Sequence, residues 1–292
     1  MYRINPFLIG LLALIVAGCS SGEKIDLFLN LEEGQKYNLR QRLAGEVTTT
    51  FLNESKTVAT VGEYFLTYEV MEKREEDYEL KVIYNRIIYQ LGSGESFELL
   101  DYDSSRETDR GSGEAYTPEI DSSFTGMIGN SYFITVNRYG KISRIEKDST
   151  LKALEGKFAD DYVSRVDKFL AEIVTIFPDH PVGEDDEWEF LGDIAGYAME
   201  INITYSILEL REKTVFIEVN GETLGKNSMD MESQPGTLQL SGTQTGTMEV
   251  DRKTGTILNV SLQSIGSGEI EMGGMKAPLD MTLSTEMGPY EP

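Results

Sequence analysis

The sequence predicts a mainly β protein, a β-rich α+β chain. Two repeated antiparallel units, curved sheets or half-barrels, flank one amphipathic helix. Three observations predict it. Apolar and aromatic residues alternate with polar ones in stretches along most of the chain after residue 27, as in strands with one covered face. A stretch recurs at a constant offset: TYEVMEKREEDYELKV, Thr67 to Val82, and TYSILELREKTVFIEV, Thr204 to Val219, lie 137 positions apart. A single segment, Asp148 to Phe177, has a period of three to four instead of two.

LFLNLEEGQKYNLRQRLAGEVTTTFL, starting at Leu27, reads as strands around a turn at Glu33-Gly34. EYFLTYEVMEKREEDYELKVIYNRIIYQL, from Glu63, is rich in Tyr, Val and Ile with a charged break at Glu72 to Asp77, a hairpin of two long strands. Residues 91 to 123 are rich in Gly, Ser and acids, which predicts a long mobile loop carrying one short strand near Ser96 to Leu100. NSYFITVNRYGKISRIE is a hairpin turning at Asn137 to Gly140, where Gly140 supplies a positive φ.

In the helical segment Leu151, Leu154, Phe158, Tyr162, Val166, Phe169, Leu170, Ile173 and Phe177 form one stripe. Ser149 or Thr150 caps it and Pro178 stops it. Gly156 weakens its first part, leaving Lys157 to Thr175 as its body. The stripe is read as packing on the chain's own sheet.

Two further matches extend the repeat. ITVNRYGKISRI lies over MEVDRKTGTILNV, with Val136 against Val250 and Gly140 against Gly255. The offset of 114 at Val136 makes the second copy shorter by 23 residues, the Gly/Ser/acid loop read as a dispensable insertion. EEGQKYNL and VGEDDEWEF each pair a glycine-containing turn with an aromatic at a strand start. This period is far longer than a solenoid repeat.

The only cysteine, Cys19, follows Met1, Arg3 and the uncharged FLIGLLALIVAG. Twelve such residues are too few to span a bilayer as a helix, which takes about 20. Val16-Ala17-Gly18-Cys19 resembles the lipobox of bacterial lipoproteins. The resemblance implies diacylglyceryl transfer to the Cys19 sulfur, cleavage before it, and acylation of the new amine. Ser20, in place of Asp, favours the outer membrane over the inner one, with the leaflet left open. The expected organisation is a signal peptide (1–18), lipidated tether (19–26), β repeat 1 (27–147), connecting helix (148–177) and β repeat 2 (178–292).

NLEEGQKY, the mid-chain helix, HPVGEDDEW and VDRKTGTI together resemble a family of Bacteroidetes-type bacterial lipoproteins of unknown function. The family's compact VGdxW form is altered here, since Glu184 to Glu187 separate Gly183 from Trp188. The resemblance implies no activity, cofactor or site residue.

The formal net charge of −24 argues against nucleic acid and anionic membrane surfaces, whose binding needs clustered Lys and Arg. No disulfide can form within the chain. Triad and Cys–His chemistry need a histidine base, and the one histidine, His180, sits between prolines in PDHPVG, read as a loop residue. A His/Cys zinc site is excluded by count. Carboxylate pairs are uninformative among 50 acids. Asp101, Asp103 and Ser105 have the spacing of a calcium loop, but Arg106 stands where such loops want glycine and Ser112 where they want an acid. GSGEIEMGGM, Gly266 to Met275, lacks the Lys-Ser/Thr of a phosphate loop and reads as strand and turn. Met229, Met231, Met272 and Met275 read as filler or loop residues before soft-metal ligands. No catalytic, cofactor-binding or metal-binding residue is assigned, and no cofactor.

Two function classes follow: a non-catalytic binding or carrier lipoprotein for an apolar or glycan-like ligand held between the halves, and a structural or assembly lipoprotein presenting a protein-binding surface. A cavity between the halves favours the first, a filled core with an exposed apolar patch the second. Cys19→Ser is expected to block lipidation and leave unprocessed or mis-sorted precursor. Fatty-acid labelling checks this, and equal labelling of wild type and variant would end the lipoprotein reading.

Overall fold

A computed structural model of the chain describes residues 22–93, 96–147, 177–194, 199–231 and 234–292. The elements in order are β1 (Lys36–Phe51), β2 (Glu54–Lys73), β3 (Asp77–Ser93), β4 (Ser96–Asp103), β5 (Gly111–Ser112), α1 (Pro118–Met127), β6 (Ser131–Asn137), β7 (Ile142–Lys147), β8 (Glu187–Ile194), β9 (Met199–Leu210), β10 (Thr214–Met231), β11 (Gln234–Asp251), β12 (Ile257–Met272) and β13 (Met275–Pro289). The fold is mainly β. Among the described residues thirteen strands form one antiparallel sheet, ordered β5-β4-β3-β2-β1-β13-β12-β11-β10-β9-β8, with β6 on β3 and β7 on β6. The expected connecting helix lies outside the described residues except Phe177, which is buried and donates its N–H to the Tyr139 carbonyl at 2.8 Å. Among the described residues no helix is long and apolar enough to cross a membrane.

From Leu66 and Ile203 to their turns the two repeats agree in register, residue for residue. Tyr68 faces Val82 across β2–β3, and Tyr205 faces Val219 across β9–β10. Both hairpins skip one residue at the same place, Met71 in the first and Leu208 in the second, and both skipped side chains are exposed. Such a bulge turns one side chain out and increases local twist. At each turn an arginine pairs with the glutamate two positions earlier, Arg74 with Glu72 and Arg211 with Glu209. Asn137 and Asp251 play one role: each side-chain oxygen accepts two backbone N–H groups of its own turn, which closes at Gly140 (φ 86°) or Gly255 (φ 68°). Before β1 the left-handed position is Gly34 (φ 79°), and before β8 it is Asp185 (φ 66°). Their N–H groups bond the carbonyls of Val70 and Ile207, themselves repeat partners. The altered spacing before Trp188 therefore moves the turn from Gly183 to Asp185 and keeps its geometry, so Tyr37 faces Tyr68 as Trp188 faces Tyr205.

The repeats are halves of one continuous sheet. β13, which has no counterpart in the first repeat, pairs with β1 on one side and β12 on the other. The sheet remains open, ending in β8 at one side.

The chain enters this sheet through Glu23 to Leu31. Ile25 exchanges two backbone hydrogen bonds with Val182, at 2.8 and 2.9 Å. Leu29 donates its N–H to Arg138 of the β6–β7 turn, and Asn30 to Thr254 of the equivalent β11–β12 turn. Leu27, Leu29 and Leu31, on alternate positions, are buried in the main core. Arg138 stacks on Phe28 at 4.2 Å, and Glu23 pairs with Arg252. The segment read as tether up to residue 26 thus becomes structure at Glu23.

Of the loop expected at 91–123, the short strand expected near Ser96 to Leu100 is present as β4, and the rest of the described residues correct the expectation by holding β5 and most of α1. Thr117 caps the helix, its hydroxyl accepting from the Ile120 N–H at 3.3 Å, and Pro118 opens it. Phe124 and Met127 are buried, with Phe124 4.7 Å from the Tyr102 ring. A few aromatics within a polar composition anchor the segment, and composition alone hides them. Arg86 holds Asp103 through two hydrogen bonds of 3.0 and 2.7 Å. In the second repeat β11 pairs along all of β10. In the first, β6 takes the start of β3 and β4 takes its end.

Two outcomes test this packing. A Cβ at Gly246 would lie 2.1 Å from the Ser261 carbonyl oxygen. Gly246→Ala is therefore expected to destabilise by about 1–3 kcal/mol in urea unfolding, whereas Gly22→Ala, with open space around it, is expected to be neutral. The Arg86 guanidinium, with the Ser105 N–H and hydroxyl, holds the Asp103 carboxyl well below the usual carboxylate range against the opposing effect of burial. A depressed folded-state value stabilises above the unfolded value near about 4 and is lost as pH falls below it. Asp103→Asn should cost about 2 kcal/mol at pH 7, and flatten the acid limb of a stability-versus-pH curve below about pH 4.

Candidate functional site

Alternation along a strand sends successive side chains to opposite faces. In β10, β11, β12 and β13 the buried residues Val219, Val250, Val260 and Met287 mark the core face. Residues one position out of step, with Glu46 and Thr48 of β1, form two adjacent rows on the other face. Register places Glu46, Thr282, Ile265, Thr243 and Glu222 in one row, and Thr48, Asp280, Ser267, Ser241 and Leu224 in the next. Together they line a cleft of about 590 Å³.

Its two aliphatic side chains are Ile265, midway along the first row, and Leu224, at the end of the second, 56% and 63% exposed. Hydroxyls surround them, and Glu46, Glu222 and Asp280 supply carboxylates. No Lys or Arg lines the cleft. Several other acids of this sheet are paired: Glu63 with Arg40, Glu69 with Lys36, Glu269 with Lys276, Glu249 with Arg211. The cleft's three carboxylates make no ion pair among the described residues. Hydroxyl, carboxylate and aliphatic groups, with no activated nucleophile, make a surface suited to binding. The small cluster of Leu240 and Leu279 backs the sheet here on its core face. Along β11 the cleft row at Thr243 lies about 23 Å from Val250, beside the turn that holds the N-terminal segment.

A second cleft, of about 710 Å³, lies between the repeats, bounded by Tyr139 and Lys141 on one side and Trp188 and Thr204 on the other. His180 stands at its rim, exposed, with its ring nitrogen 3.1 Å from Asp179. That loop position matches the sequence reading. Trp188 is stacked on Tyr205, rings 5.3 Å apart, as part of the core.

The remaining sequence candidates are not brought together. Asp103 is taken by Arg86 and Ser105, while Asp101 accepts from Gln90 and Arg106. The calcium spacing therefore serves as internal bonding. Among the described residues no group of three or more His, Cys, Asp or Glu is placed to hold a metal. Gly266 to Met275 is the end of β12 and a Gly273-Gly274 turn into β13, both glycines at positive φ. Met272 and Met275 face each other across it. The side chains of Met229 and Met231, and Cys19 itself, lie outside the described residues. Burial pushes the Tyr205 phenol up to about 12, and burial with nearby Glu32 does the same to Tyr37, so these core phenols stay neutral.

Residue types alone did not mark the cleft. Its signal in the sequence is the alternation of hydroxyls in SGTQTGT, Ser241 to Thr247, which becomes a surface only through strand register.

No curated protein matches the chain. Two solved structures are similar at 8% identity. One is DynF from the dynemicin biosynthesis pathway of Micromonospora chersina, covering 94% of this chain and 88% of that one at a TM-score of 0.22. The other is the Acinetobacter baumannii outer membrane protein Omp33, covering 88% of this chain and 100% of that one at a TM-score of 0.20. A family of unknown function, DUF6263, matches residues 146–257, from the end of β7 to the first residue of β12.

Proposed function

We propose that the chain is a non-catalytic binding lipoprotein of the bacterial envelope, anchored through lipid on Cys19, with Ser20 after it favouring the outer membrane. Its ligand carries an apolar portion and sits in the cleft on the sheet face away from the core. The carrying observation is the pair of exposed aliphatic side chains, Leu224 and Ile265, set among hydroxyls and carboxylates. Isolated exposed leucines are ordinary, but two within one cleft suit a ligand's apolar group. This differs from the expected site between the halves, where the cleft of about 710 Å³ is bounded by Tyr139, Lys141, Trp188 and Thr204 and shows no exposed aliphatic pair among the described residues.

The assembly reading has its own support. Leu52 is 90% exposed on the β1–β2 turn with φ 48°, and Met275 is 54% exposed beside the neighbouring β12–β13 turn. A bulky residue at positive φ is strained, and strain gathers at functional places.

Native mass spectrometry of protein taken gently from its own membrane separates the two. A co-purified species should raise the melting temperature of wild type, by an amount equivalent to about 2.7 kcal/mol at a hundredfold excess over Kd. It should be lost from Leu224→Asp/Ile265→Asp. A species kept by that variant, or lost instead on Leu52→Asp/Met275→Asp, would move the site to the turns and favour assembly.

A further inference from the structure

We infer that the cleft takes an extended basic peptide segment of a partner protein, with a basic–x–apolar–x–basic pattern. This rests on the reading of the cleft as the binding site and names its occupant.

The first row runs acid, threonine, isoleucine, threonine, acid: Glu46, Thr282, Ile265, Thr243, Glu222. Neighbouring strands are about 4.8 Å apart, so the two glutamates stand about 19 Å apart along the sheet, with Ile265 midway. An extended chain crossing the strands presents every second side chain to the sheet and advances about 6.8 Å per such step. An apolar residue set on Ile265 then has its next inward neighbours about 7 Å to each side. Long lysine or arginine stems reach outward from there toward Glu46 and Glu222. Asp280, in the adjacent row, adds a third negative charge near the centre. The threonines flanking Ile265 offer hydroxyls to the peptide backbone.

Charge complementarity selects this occupant over the others. Three carboxylates have no ion pair among the described residues, no cation lines the cleft, and the whole chain carries a net charge of −24. An anionic lipid or acidic glycan would be repelled. A neutral glycan would leave the carboxylates unanswered. A bare polyamine would leave Leu224 and Ile265 exposed.

The test uses the full chain and fluorescein-labelled peptides read by anisotropy. The probe is a nine-residue peptide with Lys-Ser-Leu-Ser-Lys at its centre. Controls carry Glu in place of both lysines, or Ser in place of the leucine. The lysine peptide should bind, weaken as salt rises, and lose about tenfold in affinity for each of Glu46→Gln and Glu222→Gln. The serine control should also bind about tenfold more weakly. All four substituted positions, Glu46, Glu222, Leu224 and Ile265, are exposed, so the variants keep the fold, which unchanged circular dichroism would verify. Equal binding of the glutamate control overturns the inference. So does spermidine competing as well as the peptide does, since that is cation binding alone. Binding of a neutral glycolipid that ignores both Gln variants but is lost on Leu224→Asp/Ile265→Asp overturns the peptide while leaving the cleft in place. Loss of no probe on that double variant overturns the cleft itself.

Discussion

The backbone pairing of β13 to both β1 and β12 is the constraint on which the rest of the structure depends. Each repeat by itself ends in an exposed strand edge, β1 in the first and β12 in the second. An unpaired edge is a row of free N–H and C=O groups that invites further strands. β13 covers both edges at once, with register running from Leu39 against Pro289 to Thr49 against Leu279 on one side, and from Val260 against Met287 to Met272 against Met275 on the other. It makes two repeats into one sheet, and it brings Glu46 of the first repeat into line with Glu222 of the second. The cleft exists only because of that junction.

The N-terminal segment is a second clasp, at the core end. Leu29 bonds the turn of one repeat and Asn30 the matching turn of the other. Three leucines on alternate positions fill the space between them. If Cys19 is lipidated as proposed, only a few residues separate the acyl chains from Glu23, which pairs with Arg252. The core end then lies near the membrane, and the long strands carry the cleft and the hairpin turns away from it. Strands of 15 to 18 residues, such as β13 and β10, extend about 50–60 Å.

Duplication and divergence are both visible in the sheet. Bulges at Met71 and Leu208, turn arginines Arg74 and Arg211, and turn closures at Gly140 and Gly255 are shared. The copies part where the first inserts β4, β5 and α1. There β3 is shared between β6 and β4, whereas β10 keeps one long partner in β11. The second repeat therefore supplies the extended polar face on which the cleft lies. In the first repeat Glu63 and Asp103 are tied to arginines, while Glu46, Glu222 and Asp280 make no ion pair among the described residues.

The sequence by itself determined the strands, the repeat and its register, because alternation and turn chemistry are local and the 137-residue offset compares one local pattern with another. It marked Gly140, Gly255 and the Asn137 and Asp251 turns, whose side chains bond within four residues of themselves. It misread 91–123, since Tyr102, Phe124 and Met127 acquire their partners only across the fold. It was silent on the site, because Glu46, Ile265 and Glu222 lie on three different strands and more than forty positions apart in each case. Their alignment is decided by β13, and strand order across a sheet is a long-range choice among pairings that no local pattern specifies.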